Sequence, residues 1–405
     1  MRRIVAAGLV AGLTVGVISP ASAAVIGGDQ LGLPGVQVSA NSTAPAPPPI
    51  KARTWILADA TTGEVLAAKR AHKPRPPAST LKTLTTLTLL PKLPLASTTV
   101  ASAKAANIYG AKAGLEAGQT YTIENLFYGM MLPSGNDAAI AIAEANGGIK
   151  PTVAAMNAVA QQLQANDTHA KSPNGLDTPG QTSSAYDLAL IARAGLARPD
   201  FATIVSTKKY NFPGKNSKGG GVHPIYNLNQ MLTSGFKGAL GVKTGFTTNA
   251  GRTFVGAAHR KGHTLIFVGM GIKESSKGAA ESALTWGFKN LKNLKPVGTL
   301  VAPLSPLPAD TQNTSAGSTV EQAAVPVASS PALTTSTTPA TAPTTTAAGS
   351  DPVASSAIKQ AALKVPTPAA QAPSFWLAII AVVIVGVALF AWNANRNRRR
   401  RRYRY

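Results

Sequence analysis

Pro77-Ala78-Ser79-Thr80-Leu81-Lys82 stands where a strand region gives way to a helix. Prolines at positions 74, 76 and 77 stop any strand arriving from the N-terminal side, and the leucines that follow predict a helix from Ser79 to Leu90. A serine and a lysine three residues apart share one face of such a helix, placing a hydroxyl beside an amine. By itself Ser-x-x-Lys carries little weight, because a serine ahead of an apolar helix is more often an N-cap than a nucleophile.

Upstream, residues 55–59 and 64–68 are short apolar runs on either side of Ala60-Thr61-Thr62-Gly63, a hairpin signal. Downstream, apolar positions recur at three and four over 123–131, 137–145 and 152–165, and Pro133-Ser134-Gly135-Asn136 separates the first two predicted helices. After a polar loop holding Ser172-Pro173-Asn174-Gly175-Leu176-Asp177, helices are predicted over 185–197 and 201–206. Strand character returns over 239–244, 253–258 and 264–270, and an amphipathic helix over 277–291 follows. A hairpin, a helical middle and a late three-stranded meander imply an α+β fold, an antiparallel sheet flanked by helices with a mostly helical lobe inserted.

Three polar clusters stand out in this frame: Ser79-x-x-Lys82 on a helix, Ser134-x-Asn136 on an interhelical loop, and Lys243-Thr244-Gly245 at the end of a late strand. Each alone has an ordinary explanation: an N-cap, a capping turn, an edge-strand charge. In this order and setting they form the set found in penicillin-binding proteins and β-lactamases. Over roughly residues 51–291 the chain resembles the low-molecular-weight D-alanyl-D-alanine carboxypeptidases of the S11 peptidase family. The resemblance extends through Met131-Leu132-Pro133-Ser134-Gly135-Asn136-Asp137-Ala138-Ala139, the 172–177 loop, Gly241-Val242-Lys243-Thr244-Gly245-Phe246-Thr247 with Ala250-Gly251, and Thr285-Trp286-Gly287-Phe288. It implies a β-lactamase/transpeptidase-like fold.

It also implies chemistry that the residue types suit. Ser79 would be the acylated nucleophile and Lys82 its base, provided that desolvation and the positive Lys243 lower the pKa of Lys82. The Ser79 backbone N–H would serve the oxyanion, with a second N–H from Phe246 by resemblance. Ser134 would relay a proton to the leaving amine and Asn136 would hold a substrate amide. Lys243, Thr244 and Gly245 would form the strand side that meets a terminal carboxylate, with Arg252 as a further candidate. Asp177 and Asn174 are expected only to shape their loop. The expected substrates are peptidoglycan stem peptides, with β-lactams as covalent inhibitors.

No metal or other cofactor is expected: His72, His169, His223, His259 and His263 form no helical His-x-x-x-His pair and no His-rich cluster. A class A β-lactamase is the nearest rival, yet no glutamate occurs between Glu144 and Glu274 to act as the deacylating residue that such enzymes carry after the second motif. A noncatalytic wall-binding protein that keeps the fold is the rival from another class.

The ends of the chain suggest where it resides. Arg2 and Arg3, an apolar run over 4–18, Pro20 and Ala21-Ser22-Ala23 have the three regions of a secretory signal, expected over 1–23. An Ala/Pro-rich linker is expected over 24–50, the catalytic domain over 51–296 and a disordered Ala/Thr/Pro/Ser stalk over 297–373. Residues 375–392 are uninterrupted apolar sequence inside an expected span over 374–393, and at ~1.5 Å per residue they match a bilayer's hydrocarbon thickness. Seven arginines between Arg396 and Arg404 then make 394–405 a cytoplasmic tail, and a nucleic-acid-binding tail is disfavoured because the run abuts the span. The expected location is therefore a single-pass membrane protein with its catalytic domain outside the cytoplasm.

The formal net charge is +23, from 39 basic and 16 acidic residues, and the excess persists once both arginine-bearing ends are set aside. That balance favours residence near anionic envelope polymers. The chain has no cysteine, so a hydrophobic core must stabilise an exported domain without disulfides.

Overall fold

The structure is a computed structural model and describes residues 24–214 and 221–308, all within one compact unit. The expected signal, most of the expected stalk, the apolar run at 375–392 and the arginine tail lie outside the described residues. Among the described residues no helix is long and apolar enough to cross a membrane.

The chain enters through a strap in which β1 (Val36–Gln37) precedes β2 (Thr54–Asp59) and β3 (Glu64–Lys69). β2 and β3 form the expected hairpin, with a register shift between Leu57 and Ala58. Every residue of β2 is buried. Alternation sorts its side chains between two cores: Trp55 and Leu57 face one, Ile56 and Ala58 the other. A strand covered on both faces reads as a continuous apolar run.

Past the prolines, residues 78–81 form a 3-10 turn, and α1 (Lys82–Leu89) begins only at the lysine. The expected uniform helix from Ser79 to Leu90 is corrected accordingly. Ala78 is held at φ 50, outside the helical region, and this kink sets Ser79 at the mouth of the turn. All of α1 is buried although half of it is threonine. The hydroxyls of Thr83, Thr86 and Thr88 donate to the carbonyls of Thr80, Lys82 and Leu84, and that of Thr85 to Pro173 O, so no threonine is left unsatisfied.

The inserted lobe starts with β4 (Thr98–Val100), α2 (Ala103–Ala106) and β5 (Thr120–Thr122), then α3 (Ile123–Met131), α4 (Asn136–Ala145) and α5 (Ile149–Gln162). A capping box between Thr122 and Asn125 starts α3. α5 begins three residues earlier than expected, with Pro151 in its first turn, where a missing N–H costs nothing. α6 (Ala185–Leu196) and α7 (Pro199–Ser206) follow, and then a hairpin, β6 (Lys209–Pro213) and β7 (Val222–Tyr226), that the sequence reading omitted. Only Phe212 and Ile225 of that hairpin are buried, too few to give an alternating pattern.

A short α8 (Gln230–Thr233) leads back to the sheet through β8 (Ala239–Thr247), β9 (Gly251–Arg260) and β10 (His263–Ile272), followed by α9 (Ser276–Asn290) and β11 (Gly298–Thr299). The sheet order is β1-β3-β2-β10-β9-β8, with α6 against one face of its centre and α9 against the other. The free edge of β3 is shared by β1, paired at Ala68 and Lys69, and β11, paired at Glu64 and Val65.

That shared edge corrects the expected boundaries at 51 and 296. Leu31, Val297 and Leu300 are buried in the main core, so packing reaches into both the expected linker and the expected stalk. A few apolar anchors suffice for this: a buried leucine is worth about 1.5–3 kcal/mol, and prolines between anchors do no harm beside a sheet edge.

Candidate active site

The 3-10 turn carrying Ser79 is wedged between the sheet and the lobe. β8 lies flush against it: a Cβ at Gly245 would stand 2.8 Å from Ser79 N and 3.0 Å from Thr80 N. From β9, Thr253 Oγ1 donates to Pro77 O at 2.8 Å and fixes the approach to the turn. On the lobe side the 172–177 loop closes in so tightly that a Cβ at Gly175, whose φ is +81, would collide with Ala78 O.

Lys82 lies directly beneath. Its Nζ is 3.0 Å from Ser79 Oγ, 2.8 Å from Asn136 Oδ1 and 2.7 Å from Asn174 O. Burial, and then the positive Lys243, hold the Lys82 amine well below the ordinary lysine range, with the Asp137 charge pulling partly the other way. Two of the three neighbours are carbonyl oxygens, which only accept. When the amine is neutral it spends its two N–H groups on them and turns its lone pair towards Ser79, and in that form the serine O–H can donate to Nζ. This is the arrangement a nucleophile and its base require.

Ser134 and Asn136 reach the site from the junction of α3 and α4. Ser134 is buried at φ 67, a left-handed conformation that costs a non-glycine residue energy and is held by the surrounding structure. The Asn136 side chain meets two protein groups: Oδ1 accepts from Lys82, and Nδ2 donates to Tyr109 O at 2.8 Å. Its amide is engaged within the protein and orients the lysine. Next to it the buried Asp137 carboxylate accepts from the backbone N–H groups of Ala113, Gly114, Leu115 and Ala138, tying down the loop that forms one wall.

On the sheet side Lys243 is buried, its Nζ donates to Thr244 O at 3.0 Å, and burial pushes its pKa down to about 7. A cavity of about 730 Å³ opens above these groups and is lined by Ser79, Ser134, Thr244, Gly245, Phe246 and Arg252. Arg252 pairs across the strands with Phe246, which brings it to the cavity wall. All nine residues singled out in the sequence thus gather at one place, six on the cavity surface and Lys82, Asn136 and Lys243 behind it.

Sequence reading missed other parts. Asn174 does more than shape its loop, because its carbonyl holds Lys82, while Asp177 Oδ1 accepts from Thr247 Oγ1 at 2.8 Å and clips the loop to β8. Residues 273–277 line the cavity at the end of β10. The antiparallel meander was the available signal, since it forces the loop after β10 to the same end of the sheet as Thr247. Glu274 in that segment lies at the cavity, with Oε1 accepting from Lys51 N at 2.7 Å. Away from the cavity, His72, Asp167 and Asp187 bring possible ligand atoms within 4.8 Å of one another. There His72 Nε2 donates to Ile26 O and Nδ1 meets Asp167 Oδ2, each at 2.9 Å.

The sheet, the inserted lobe and the lysine-backed serine between them are those of the penicillin-binding, DD-peptidase class of folds. A family model described as D-alanyl-D-alanine carboxypeptidase, Peptidase S11, matches residues 41–274, and the chain belongs to that family. It is 41% identical over 244 residues to D-alanyl-D-alanine carboxypeptidase DacB2 of Mycobacterium tuberculosis, covering 58% of this chain and 82% of that one. To D-alanyl-D-alanine carboxypeptidase DacD of Salmonella typhimurium it is 36% identical over 278 residues, 65% of this chain and 69% of the relative. Among solved structures, a D-alanyl-D-alanine carboxypeptidase from M. tuberculosis superposes with a TM-score of 0.60 at 39% identity, covering 66% of this chain and all of that one. The Streptomyces K15 DD-transpeptidase superposes with a TM-score of 0.57 at 29% identity, over 60% of this chain and 100% of that one.

Proposed function

We propose that this protein is a serine-type carboxypeptidase that removes the terminal D-alanine from peptidoglycan stem peptides ending in D-Ala-D-Ala, and that β-lactams acylate the same serine. The observation that carries the reading is the Lys82 amine, buried with two carbonyl acceptors and facing Ser79 Oγ at 3.0 Å.

In the proposed reaction the Ser79 hydroxyl passes its proton to Lys82 Nζ as Oγ bonds to the carbonyl carbon of the penultimate D-alanine. The resulting oxyanion is received by the backbone N–H groups of Ser79 and Phe246. Collapse breaks the C–N bond, and the proton held by Lys82 reaches the departing amine through Ser134. Water then attacks the ester, giving its proton to Lys82, and the shortened peptide leaves with Ser79 restored. Thr244, Arg252 and the Lys243 charge behind them suit the free carboxylate that marks the end of the chain. Asn136 and Asn174 act on Lys82 as positioning residues.

The membrane reading belongs to the same proposal. Arg2, Arg3 and the apolar run at 4–18 support export, and the run at 375–392 followed by seven arginines supports anchoring with the catalytic domain outside the cytoplasm. Protease added to intact cells should digest the catalytic domain; complete protection in intact cells with digestion after lysis would oppose this placement.

Incubation with a pentapeptide ending in D-Ala-D-Ala, following free D-alanine, tests the activity. Release is expected from the natural protein and not from Ser79→Ala. Absence of release where penicillin does acylate Ser79 would mean that the natural reaction is a different one.

A further inference from the structure

A second cavity, of about 620 Å³, has a basic wall. Lys51 and Arg53 come from the segment entering β2, Lys69 and Arg70 from the end of β3, and Lys73 and Arg75 from the stretch leading to Ser79. Lys273 lines both this cavity and the catalytic one, so the two adjoin. The lining contains no acidic residue, and none of these seven cations is in an ion pair among the described residues. Glu274, next in sequence to Lys273, lines the catalytic cavity and not this one, and its Oε1 accepts from Lys51 N.

The wall is built rather than loose. Lys69 Nζ donates to Ala52 O at 3.0 Å, and the Arg75 backbone exchanges hydrogen bonds with Ser183 at 2.8 and 2.9 Å. Arg53 lays its stem over Gly271, where a Cβ would stand 2.9 Å from its Cδ. Arg75 Nε is buried with no hydrogen-bond partner. Burial, and then the charge of Arg53, depress Arg75, as expected for neighbouring guanidinium groups. So many like charges cost self-repulsion that one small anion relieves only in part, whereas a strand of repeated anions relieves it along its length. Guanidinium forks match phosphate and carboxylate groups equally well.

We propose that this groove is a binding site for an anionic polymer, a strand of repeated phosphate or carboxylate groups held beside the catalytic cavity. The site is defined by binding and does not depend on the carboxypeptidase reading. It gives the overall basic charge a specific place of action.

Binding of the full chain in nonionic detergent to fluorescent poly(glycerol phosphate) and, separately, to poly-D-glutamate of matched charge tests it. The double variant Arg53→Gln/Lys73→Gln removes two groove charges, and Lys104→Gln/Lys150→Gln removes two exposed charges elsewhere. At about 50 mM salt the groove variant should lose about ten-fold in affinity for at least one polymer and lower the salt slope by about 2. The control variant should stay within about two-fold of the natural chain, as expected where no polymer contact is lost. The polymer with the larger groove-dependent loss identifies the anion. Equal losses in the two variants, or no loss in the groove variant with either polymer, would overturn the proposal. D-alanine release from a short soluble peptide should be unchanged in the groove variant, which shows that it is folded.

Discussion

Lys82 Nζ lies 3.0 Å from Ser79 Oγ while two carbonyl oxygens, of Asn136 and Asn174, take its N–H groups at 2.8 and 2.7 Å. The serine faces a lone pair only while the amine is neutral, which ties reactivity to the depressed pKa of Lys82. Lys82→Arg keeps a donor at this place and removes the base. Acylation of Ser79 by penicillin should fall about 10²–10⁴-fold, measured as the second-order rate of covalent labelling. A rate within a few-fold of the natural protein would remove Lys82 from the role of base.

The two lysines give opposite pH limbs. Activity should rise with pH as Lys82 loses its proton, and fall at higher pH as Lys243, at about 7 in the free enzyme, loses the charge that attracts a carboxylate. The two sites feel one another, so kcat/KM should be bell-shaped with apparent values that belong to the pair. Bound carboxylate stabilises the Lys243 charge and should move the alkaline limb of kcat upward. Asn136→Asp adds a negative charge against Lys82, raises its pKa and should shift the acid limb upward by about one unit or more, with about ten-fold lower kcat/KM at neutral pH. An unmoved acid limb would show that Asn136 does not act through Lys82.

Close packing of β8 on the Ser79 turn should make Gly245→Ala costly. The added methyl meets Ser79 N and Thr80 N, both backbone atoms that cannot rotate away. Overpacking of this kind costs about 1–3 kcal/mol, so the midpoint of denaturant unfolding should drop and penicillin labelling should slow. Unchanged labelling would mean that the oxyanion side of the site tolerates a shift of β8.

Asp187 offers a stability test away from catalysis. Burial, then the charge of Asp167, push its pKa from 3.8 to about 7, and its Oδ1 is buried without a partner. Between those values the folded chain keeps a proton that the unfolded chain has lost. The stability contributed by the protonated form is complete below the unfolded value and is lost as pH rises through about 7. Asp187→Asn removes that dependence while leaving an acceptor for Thr168 Oγ1, so relative to the natural chain it should gain about 1–3 kcal/mol between about pH 5 and pH 8 in denaturant unfolding. A pH-independent difference would contradict the assignment.

The readable parts of the chain were those whose signal lies in side-chain type and period. The β2–β3 hairpin, α3, α4, the late meander and α9 all carry apolar runs between turn residues, and the three polar clusters converge as their order implied. What escaped notice depends on backbone groups or on sparse anchors. Nothing in the identity of Asn174 shows that its carbonyl will meet Lys82, and Asn136 offers the same amide to a substrate or to a neighbour. The strap around Leu31 and the β6–β7 hairpin each bury so few side chains that composition outweighs pattern. The kink at Ala78, just ahead of the turn holding Ser79, lies against Gly175, a contact between residues distant in sequence that the residue type at 78 does not announce.

Reaction of the purified chain with a penicillin, followed by intact mass and by mapping of the modified peptide, tests the central claim most directly. The account predicts a single adduct on Ser79 that is absent from Ser79→Ala and outlasts many turnovers of a D-Ala-D-Ala peptide, since no glutamate lies between Glu144 and Glu274 to activate a deacylating water. An adduct that persists in Ser79→Ala, or no adduct at all, would contradict Ser79 as the nucleophile, and rapid sustained hydrolysis of the penicillin would place the chain with the β-lactamases instead.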